Sequence, residues 1–505
     1  MSDRVVTEDF VPDDVIPRGT LPPMRYRDLP EPQPIHKLIG PGIILVGLAL
    51  GSGEYIIWPY ITYRSGFVFF WACLLGVTTQ YFLNMEITRW TLATGESAIT
   101  GFCRLARTWA WIFLALNIIP WMLPAWASGA AELLRWLIWG FADSKTDPAA
   151  AQTVKIFAIA GLWICGAVLT MGPVVYETLE RIQLCLVSLV MILVVVLASL
   201  VVRSDAIVAL VQGTLSFDFP DGNDDLSIVA LLGAIAFAGV GGTLNLGQSN
   251  YVKDKGFGMG KYIGRITSPI TGREEPTSEV GYHFPGTPEN MQRWRGWWRA
   301  AWVEHFFSFY CTCIVCLVLL TLINYSVFYT PDGELREGMA GYTNNLEFIW
   351  REAVEIGKLT PLGNTATVLF LTAGVAILLT TEIGVLDSIS RISTDIVKVN
   401  WLLDSARWTE SRLYYVFLWG VILVGTMILA TGVEAMLLVK SSAAMNGGVM
   451  FLYSITLLYM NLRSLPQPLR PSWWRSLILV WSILFFGYFT IWAGWAVTKD
   501  LLLGK

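Results

Sequence analysis

The sequence has few charged residues and few histidines for its length. Of its 505 residues, 15% are Asp, Glu, Lys or Arg and three are His, whereas a soluble protein carries about a quarter charged residues. This scarcity excludes an ordinary soluble protein of this size. The net charge of −4 is too small to indicate a class of partner, and we expect no nucleic-acid partner.

The chain also lacks the motifs of several function classes. It has no Walker loop, no GxSxG turn and no HExxH motif, so we expect neither an enzyme nor a primary pump, and no resident cofactor. The seven cysteines have no zinc spacing supported by histidine, and we interpret them as packing residues. Residues 1–38 are polar, rich in proline and without an apolar signal-peptide core, which predicts a cytoplasmic tail and no cleavable signal.

Long apolar segments take the place of those features. Hydrophobic residues make up 54% of the chain, and segments of about twenty apolar residues predict membrane-spanning helices. We therefore expect an all-α polytopic membrane protein in the lipid bilayer. The eleven predicted spans are 39–63, 67–89, 109–135, 153–171, 180–202, 226–250, 298–324, 363–388, 412–431, 434–459 and 474–497.

The basic residues predict the orientation of these spans. If the N-terminus is cytoplasmic, about two thirds of the 35 Lys and Arg residues fall on the cytoplasmic side, as the positive-inside rule requires. The C-terminus is then external, and a bacterial-type plasma membrane is expected. We divide the chain into repeat one (39–202), repeat two (203–459, with a cytoplasmic loop at 251–297) and a last helix with the C-terminus (460–505).

Two of the predicted spans contain segments that disfavour a regular helix. Span one contains Gly51-Ser52-Gly53-Glu54, and span six contains a stretch rich in glycine and amide side chains at 237–250. Glycine weakens a helix, and a carboxylate inside a membrane is costly unless it meets a cation, a partner or water. Interrupted helices at matching positions of two five-span halves indicate an inverted repeat with a binding site near the midplane.

These segments resemble those of a known family. Gly40-Pro41-Gly42, eight residues and then Gly51-Ser52-Gly53-Glu54 is similar to the start of span one in the Nramp metal-ion transporters. The stretch 234–251 resembles their span six, and weaker likeness extends over most of residues 38–500. The resemblance implies the LeuT-type fold, in which spans 1–5 and 6–10 form an inverted repeat that alternates access to a central site.

The resemblance also shows where this chain departs from the family. Gly51 stands where the family has a metal-binding Asp, and Glu54 stands at its Asn ligand. In span six, Asn245 replaces the Met ligand and Gly247 the His. Loss of the thioether removes a soft ligand, so we expect a rebuilt site for a divalent cation with hard oxygen ligands.

The candidate site residues follow from these matches. We predict that Glu54 and Asn245 bind the cation as substrate, with further site residues at Gly51, Ser52, Gly242, Thr243, Lys440 and Asn446. Alternatively, Glu54 caps a second half-helix of span one. The family's acidic proton relay in span three falls on Ala125 and Ser128, although a shift of register would bring in Glu132.

Lys440, in span ten, has three interpretations. It pairs with Glu54, it replaces a coupling ion, or it extends to the outer interface. A pair with Glu54 would suit a zwitterion, and the glycines at 239, 241 and 242 leave room for an organic solute. The alternatives to a metal transporter are therefore a transporter of a small organic cation or zwitterion, and a non-transporting scaffold. The sequence does not give the oligomeric state.

Other charged residues in the spans lie near predicted helix ends. Glu86 with Arg89, Glu132 with Arg135, Glu304 with His305, and Glu382 with Asp387 and Arg391 are such groups. We expect most of them to be solvated helix ends. The alternative is that those on the cytoplasmic side form interfacial ion pairs or inner gates.

Overall fold

The computed structural model describes residues 10–34, 37–220, 226–268, 270–272, 278, 280–342 and 346–502, and only the backbone of residues 52 and 500–502. Most of this part is α-helical. The helices are α1 (Pro41–Ala49), α2 (Trp58–Ser65), α3 (Phe70–Thr94), α4 (Ala98–Leu105), α5 (Thr108–Trp121), α6 (Ala125–Trp139), α7 (Pro148–Met171), α8 (Val175–Val201), α9 (Ser204–Ser216), α10 (Ile228–Ala236), α11 (Gly242–Asp254), α12 (Pro288–His305), α13 (Thr312–Phe328), α14 (Glu347–Leu359), α15 (Asn364–Trp401), α16 (Glu410–Ala430), α17 (Ala435–Arg463) and α18 (Trp473–Leu502).

Nine helical segments in the described part are long and apolar enough to cross a membrane. They correspond to predicted spans one, three to five and seven to eleven. Span two is α3, a 25-residue helix of which most residues are buried. Span six is the pair α10 and α11, each shorter than a bilayer requires. The polytopic all-α membrane fold is confirmed, and the full count of eleven stays a prediction.

The predicted interruption of span one takes the form of a π-helical stretch, Leu50–Ile57, which joins α1 to α2. The backbone N–H of Trp58 donates to the carbonyl of Gly53, five residues back. Such π-helical turns occur often at functional sites. The chain therefore stays wound through Glu54, and there is no free second half-helix for that carboxylate to cap.

Span six, by contrast, is fully broken. Helix α10 ends at Ala236, and α11 begins at Gly242 after a non-helical connection. Gly241 and Gly242 have φ of 78° and 54°, a region that residues with a Cβ rarely adopt. The glycines that marked this segment in the sequence are thus required for the break itself.

The two halves of the chain make matching contacts. The first span packs on α8, the fifth span, and on α15, the eighth. Likewise, α10 packs on α17, the tenth span, and α11 on α5 in the third. This correspondence is what a five-plus-five repeat predicts, and it places both interruptions in the centre of the helix bundle.

One face of the molecule is covered by the chain before α1. We call it the N-terminal face. Strand β1 (Arg25–Tyr26) pairs in parallel with β2 (Tyr282–His283) in the loop before α12, and the indole N–H of Trp297 donates to the carbonyl of Pro30 at 2.8 Å. The polar tail and the long loop therefore pack together. Helix α11 ends at Asp254 and α12 begins at Pro288, both inside the predicted loop 251–297. The loop is therefore shorter than expected.

The start of α1 is fixed by a carboxylate from the seventh span. The Glu304 carboxylate accepts the backbone N–H groups of Gly42 at 2.9 Å and Gly40 at 3.3 Å. A negative charge at a helix N-terminus is favourable because the first N–H groups have no partner within the helix. A Cβ at Gly42 would lie 2.9 Å from that carboxylate. Glu304 is buried, so our expectation of a solvated helix end there is wrong.

Candidate functional site

Glu54 lies in the interior of the bundle. Its side chain has no exposed surface, and neither carboxylate oxygen has a hydrogen-bond partner among the described residues. Burying a carboxylate without a partner is among the most costly arrangements in a protein. A group in this state is a strong candidate to meet a cation or a proton.

The neighbours of Glu54 are thiols. Cys313, on α13, lies beside the carboxylate, and Cys73 and Cys316 are within electrostatic range of it. All three are fully buried. Cys313 and Cys316 share one side of α13 because residues three apart lie on the same helix face. Within the described residues, no three His, Cys, Asp or Glu side chains converge closely enough to hold a metal ion, so any ligand set is incomplete in this conformation.

Asn245 belongs to a neutral network on the other side of the break in span six. Its amide group donates to Gln80 Oε1 at 3.2 Å and to the hydroxyl of Tyr453 at 3.0 Å, while its own oxygen has no partner in the described structure. Gln80 in turn donates to the Ala236 carbonyl and accepts from the N–H of Gly241. One glutamine thus satisfies backbone groups on both sides of the break.

Thr243 and Asn446 make polar contacts of their own beside the break in span six. The Thr243 hydroxyl donates to Asn117 Oδ1 at 2.9 Å and accepts the indole N–H of Trp121 at 3.0 Å. Asn446 packs against Gly242, where a Cβ would lie 1.7 Å from its side-chain oxygen. That oxygen, like that of Asn245, is buried and has no hydrogen-bond partner in the described structure. Asn245 of span six and Asn446 of span ten therefore each present a buried acceptor without a hydrogen-bond partner in the described structure.

The two halves of the predicted site meet at one backbone contact. A Cβ at Gly53 would lie 1.5 Å from the Phe237 carbonyl oxygen, so span one presses directly on the break in span six. Gly51 packs against α15, because a Cβ at this position would lie 2.2 Å from Thr381 Oγ1. The side chain of Ser52 is outside the described residues. No hydrogen bond joins Glu54 to Asn245 in the described structure, and we treat the two as separate halves of the site.

Lys440 lies away from Glu54. Its ammonium is 4.8 Å from the centre of the Tyr60 ring, almost two turns further along span one. The Glu54 oxygens accept no hydrogen bond from it. The hypothesis of a Glu54–Lys440 pair is therefore wrong in this conformation, and a cation–π contact replaces it.

Charged side chains close the N-terminal face beneath the site. Arg391, on α15, binds Asp387 at 2.7 Å and also Asp254 at the end of α11. The Tyr414 hydroxyl donates to Asp387 at 2.7 Å. We call these four residues the Arg391 cluster. All are buried, so the prediction of solvated helix ends is wrong here, and the alternative of an internal ion-pair closure describes the arrangement.

The remaining charged groups of the spans lie elsewhere. Glu86 is buried and binds Arg89 at 2.6 Å. Glu382 is also buried and accepts the N–H of Ala127 at 3.0 Å. Glu132 lines a cavity of about 560 Å³ at the end of α6, apart from the residues around Glu54. None of these carboxylates is solvated as a simple helix end.

One buried acid was missed by the sequence reasoning. Glu352, on α14 between the seventh and eighth spans, is 2% exposed and accepts the amide of Asn324 at 2.8 Å. Burial raises the pKa of this carboxyl to about 8. It was overlooked because it lies outside the predicted spans, between the end of span seven at 324 and the start of span eight at 363. Gln80, Asn117 and Tyr453 were missed too, since a polar residue in a helix does not reveal which neighbour it meets.

Comparison with solved structures identifies the fold. Three crystal structures of a manganese transporter from Eremococcus coleocola, two of them point variants and one bound to an aromatic bis-isothiourea compound, match with TM-scores of 0.60 to 0.61 at 12% identity. The matches cover 93 to 96% of this chain and 89 to 90% of theirs. The chain has the fold of that transporter. No protein-family model and no curated protein matches the sequence. The resemblance to Nramp proteins is thus confirmed at the level of the fold, as expected for a divergent relative.

The contact between Gly53 and Phe237 leads to a first prediction. Gly53→Ala should destabilise the protein by about 3 kcal/mol, because the new methyl group meets a backbone carbonyl that side-chain motion cannot clear. Thermal unfolding in detergent would measure this loss. Gly420→Ala on α16, where a Cβ meets nothing within 4 Å, is the matched control and should be neutral or slightly stabilising. Equal unfolding temperatures for the two variants would contradict the packing described.

Glu352 leads to a prediction about pH. Its pKa is about 8 in the folded protein against 4.5 in the unfolded chain, so the folded state loses stability as pH rises from about 5 to about 8, where only the unfolded chain ionises. Glu352→Gln should remove this part of the pH dependence and raise the unfolding temperature at pH 8 relative to wild type. The exposed Glu337→Gln is the control. The same pH slope in Glu352→Gln and wild type would rule the assignment out.

Proposed function

We propose that this protein is a secondary transporter that carries a divalent metal cation across the membrane by alternating access. The observation that carries the proposal is Glu54, a buried carboxylate at the π-helical stretch of span one whose oxygens have no hydrogen-bond partner among the described residues. It lies next to the break in span six, in a fold shared with a manganese transporter. No resident cofactor is part of this proposal, since the metal ion is the substrate.

Charge is the first argument for a cation. An ionised Glu54 in this position has a large desolvation cost, and no cationic side chain among the described residues pairs with it to offset that cost. A divalent cation would offset it and would leave one positive charge, which the uncharged oxygens of Asn245 and Asn446 are suited to solvate. Those two oxygens are buried and lack a hydrogen-bond partner in the described structure.

The thiols beside Glu54 indicate which class of metal ion the proposed site favours. An all-oxygen site would suit Mg²⁺ or Ca²⁺ as well as Mn²⁺. The loss of the family's Met ligand favoured an all-oxygen site, but Cys313 on α13 places a sulfur atom beside Glu54. A carboxylate with a thiol favours a transition metal over Mg²⁺ and Ca²⁺. We therefore propose a divalent transition metal as the substrate, and Mn²⁺, the ion named for the structural neighbours, is the first to test.

Two sets of contacts provide the gates for alternating access. The Arg391 cluster ties α11 to α15 and α16 on the N-terminal face. On the opposite face, the Tyr63 hydroxyl donates to the Met339 carbonyl at 2.9 Å, and the Tyr329 hydroxyl donates to the Tyr63 carbonyl at 3.0 Å. Transport would require each set to open in turn while the other holds.

An organic cation or zwitterion is the second candidate, and its support is weaker. The space that the glycines of span six were expected to leave is filled. Cβ atoms at Gly239 and Gly241 would lie 2.6 Å from Gln80 and 2.8 Å from the Phe237 ring. Lys440, which was to hold the anionic end of a zwitterion, contacts Tyr60 instead. A small metal ion fits this packing better than an organic solute does.

The orientation of the protein is part of the same proposal. The basic tail and loop that share the N-terminal face favour a cytoplasmic position for that face under the positive-inside rule. The C-terminus, after one further span, would then be external. A plasma membrane of the bacterial type is the expected location.

The central test is uptake of Mn²⁺ into proteoliposomes. Wild type should accumulate Mn²⁺ faster than empty vesicles, and Glu54→Gln should reduce this rate at least tenfold, since a neutral amide cannot balance the ion's charge. Glu352→Gln, which also replaces a buried acid with an amide, is the matched control and should transport normally at pH 7. Normal transport by a well-folded Glu54→Gln protein would contradict the site. Wild-type vesicles that take up neither metals nor amines would favour the scaffold alternative.

The thiols make a separate prediction about selectivity. Cd²⁺ should inhibit Mn²⁺ uptake by wild type, and Cys313→Ser should raise the Cd²⁺ concentration needed for half-inhibition about tenfold, because Cd²⁺ gains more from sulfur than Mn²⁺ does. Cys165→Ser, a buried cysteine on α7, is the control for the loss of a thiol. Unchanged inhibition in Cys313→Ser would show that sulfur does not contact the transported ion.

A further inference from the structure

A cavity of about 570 Å³ opens on the N-terminal face, beside the second half of α12 and the start of α18. Its lining is basic and aromatic, with one hydroxyl and no acid. The lining residues are Arg89, Trp298, Arg299, Trp302, Arg470, Ser472, Trp474 and Arg475. It is separate from the proposed metal site and plays no part in it.

The cavity carries an excess of positive charge. Arg89 and Arg475 share one buried acid, Glu86, at 2.6 and 3.0 Å. Arg299 and Arg470 are exposed, and neither forms an ion pair in the described structure. Four arginines and one glutamate leave three positive charges around one cavity. Such a group attracts phosphate, which guanidinium binds with two parallel hydrogen bonds.

The guanidinium groups are held in place by the aromatic rings. Arg89 lies 4.0 Å and Arg475 4.8 Å from the Trp298 ring, and Arg475 is also 4.7 Å from Trp474. Cation–π contacts of this kind orient the arginines without neutralising them. The side of the cavity formed by Arg89 and Arg475 is therefore in place before any ligand binds, which reduces the ordering cost of binding.

The surroundings of the cavity identify the kind of ligand. Both α12 and α18 begin segments that are apolar enough to cross a membrane. Large apolar side chains continue outward from the cavity along them, with Trp302 39%, Phe307 63% and Leu477 58% exposed. Tryptophan is typical of the boundary between headgroups and acyl chains. A ligand that fills this place has an anionic head and apolar chains.

We propose that this cavity binds the headgroup of an anionic phospholipid, with the acyl chains lying along α12 and α18. Phosphate would be bound by Arg299 and Arg470, which are accessible and have no ion-pair partner in the described structure. Basic pockets between membrane helices on the cytoplasmic side are suited to such lipids. The bound lipid would join α18 to the α3 and α12 side of the bundle.

The test is native mass spectrometry of the purified protein titrated with phosphatidylglycerol or phosphatidylcholine. Wild type should retain phosphatidylglycerol preferentially. The double variant Arg299→Gln/Arg470→Gln should lower that retention about tenfold, because two charges near the headgroup are removed. The control Arg295→Gln/Arg463→Gln removes two exposed arginines that do not line the cavity, and it should behave as wild type.

Three outcomes would overturn the proposal. Equal retention of the two lipids by wild type would show that the cavity does not select for charge. Undiminished preference in the Arg299/Arg470 variant would place the lipid elsewhere. Displacement of phosphatidylglycerol by glycerol 3-phosphate at similar concentrations would mean that the cavity binds a soluble phosphate and not a lipid. Both double variants change only exposed side chains, so folding should not obscure the result.

Discussion

The contact between Gly53 and the Phe237 carbonyl is the constraint on which the centre of this protein depends. It brings span one against the break in span six with no room for a side chain. Gly53 lies within the π-helical stretch from Leu50 to Ile57, and the next residue, Glu54, is turned away from that contact. Glu54 consequently faces α3 and α13, where thiols surround it, and not the amide groups of α11. Close backbone packing, more than any charged pair, fixes where the one unpaired carboxylate of span one lies.

A binding site divided in this way suits a carrier. On one side is an acid beside Cys313, and on the other a neutral network of Asn245, Gln80 and Tyr453. Within the described residues, no three His, Cys, Asp or Glu side chains converge closely enough to hold a metal ion in this conformation. In the transport cycle we propose, the ion itself draws the halves together, so that binding supplies the free energy for the conformational change. The Arg391 cluster on the N-terminal face then opens only when span six moves.

The sequence predicted the break in span six correctly because glycine and amide side chains inside an apolar segment disfavour an unbroken helix that faces lipid. It did not predict that span one remains wound, since a π-helical turn and an open break use the same residues. It also assigned the cysteines to packing. Which helix a residue such as Glu54 faces depends on the packing of distant segments, and nothing in the local pattern around Cys313 shows it. Burial of Arg391 and Glu304 was missed for the same reason, as each is paired with groups far away in sequence.

The most direct test of this account is anomalous X-ray diffraction at the manganese edge from crystals of the protein grown with Mn²⁺. We predict one strong peak within bonding distance of the Glu54 carboxylate, with Cys313 or the oxygen of Asn245 as a further ligand. A manganese peak at another place, such as the cavity lined by Glu132, with none beside Glu54, would contradict the account.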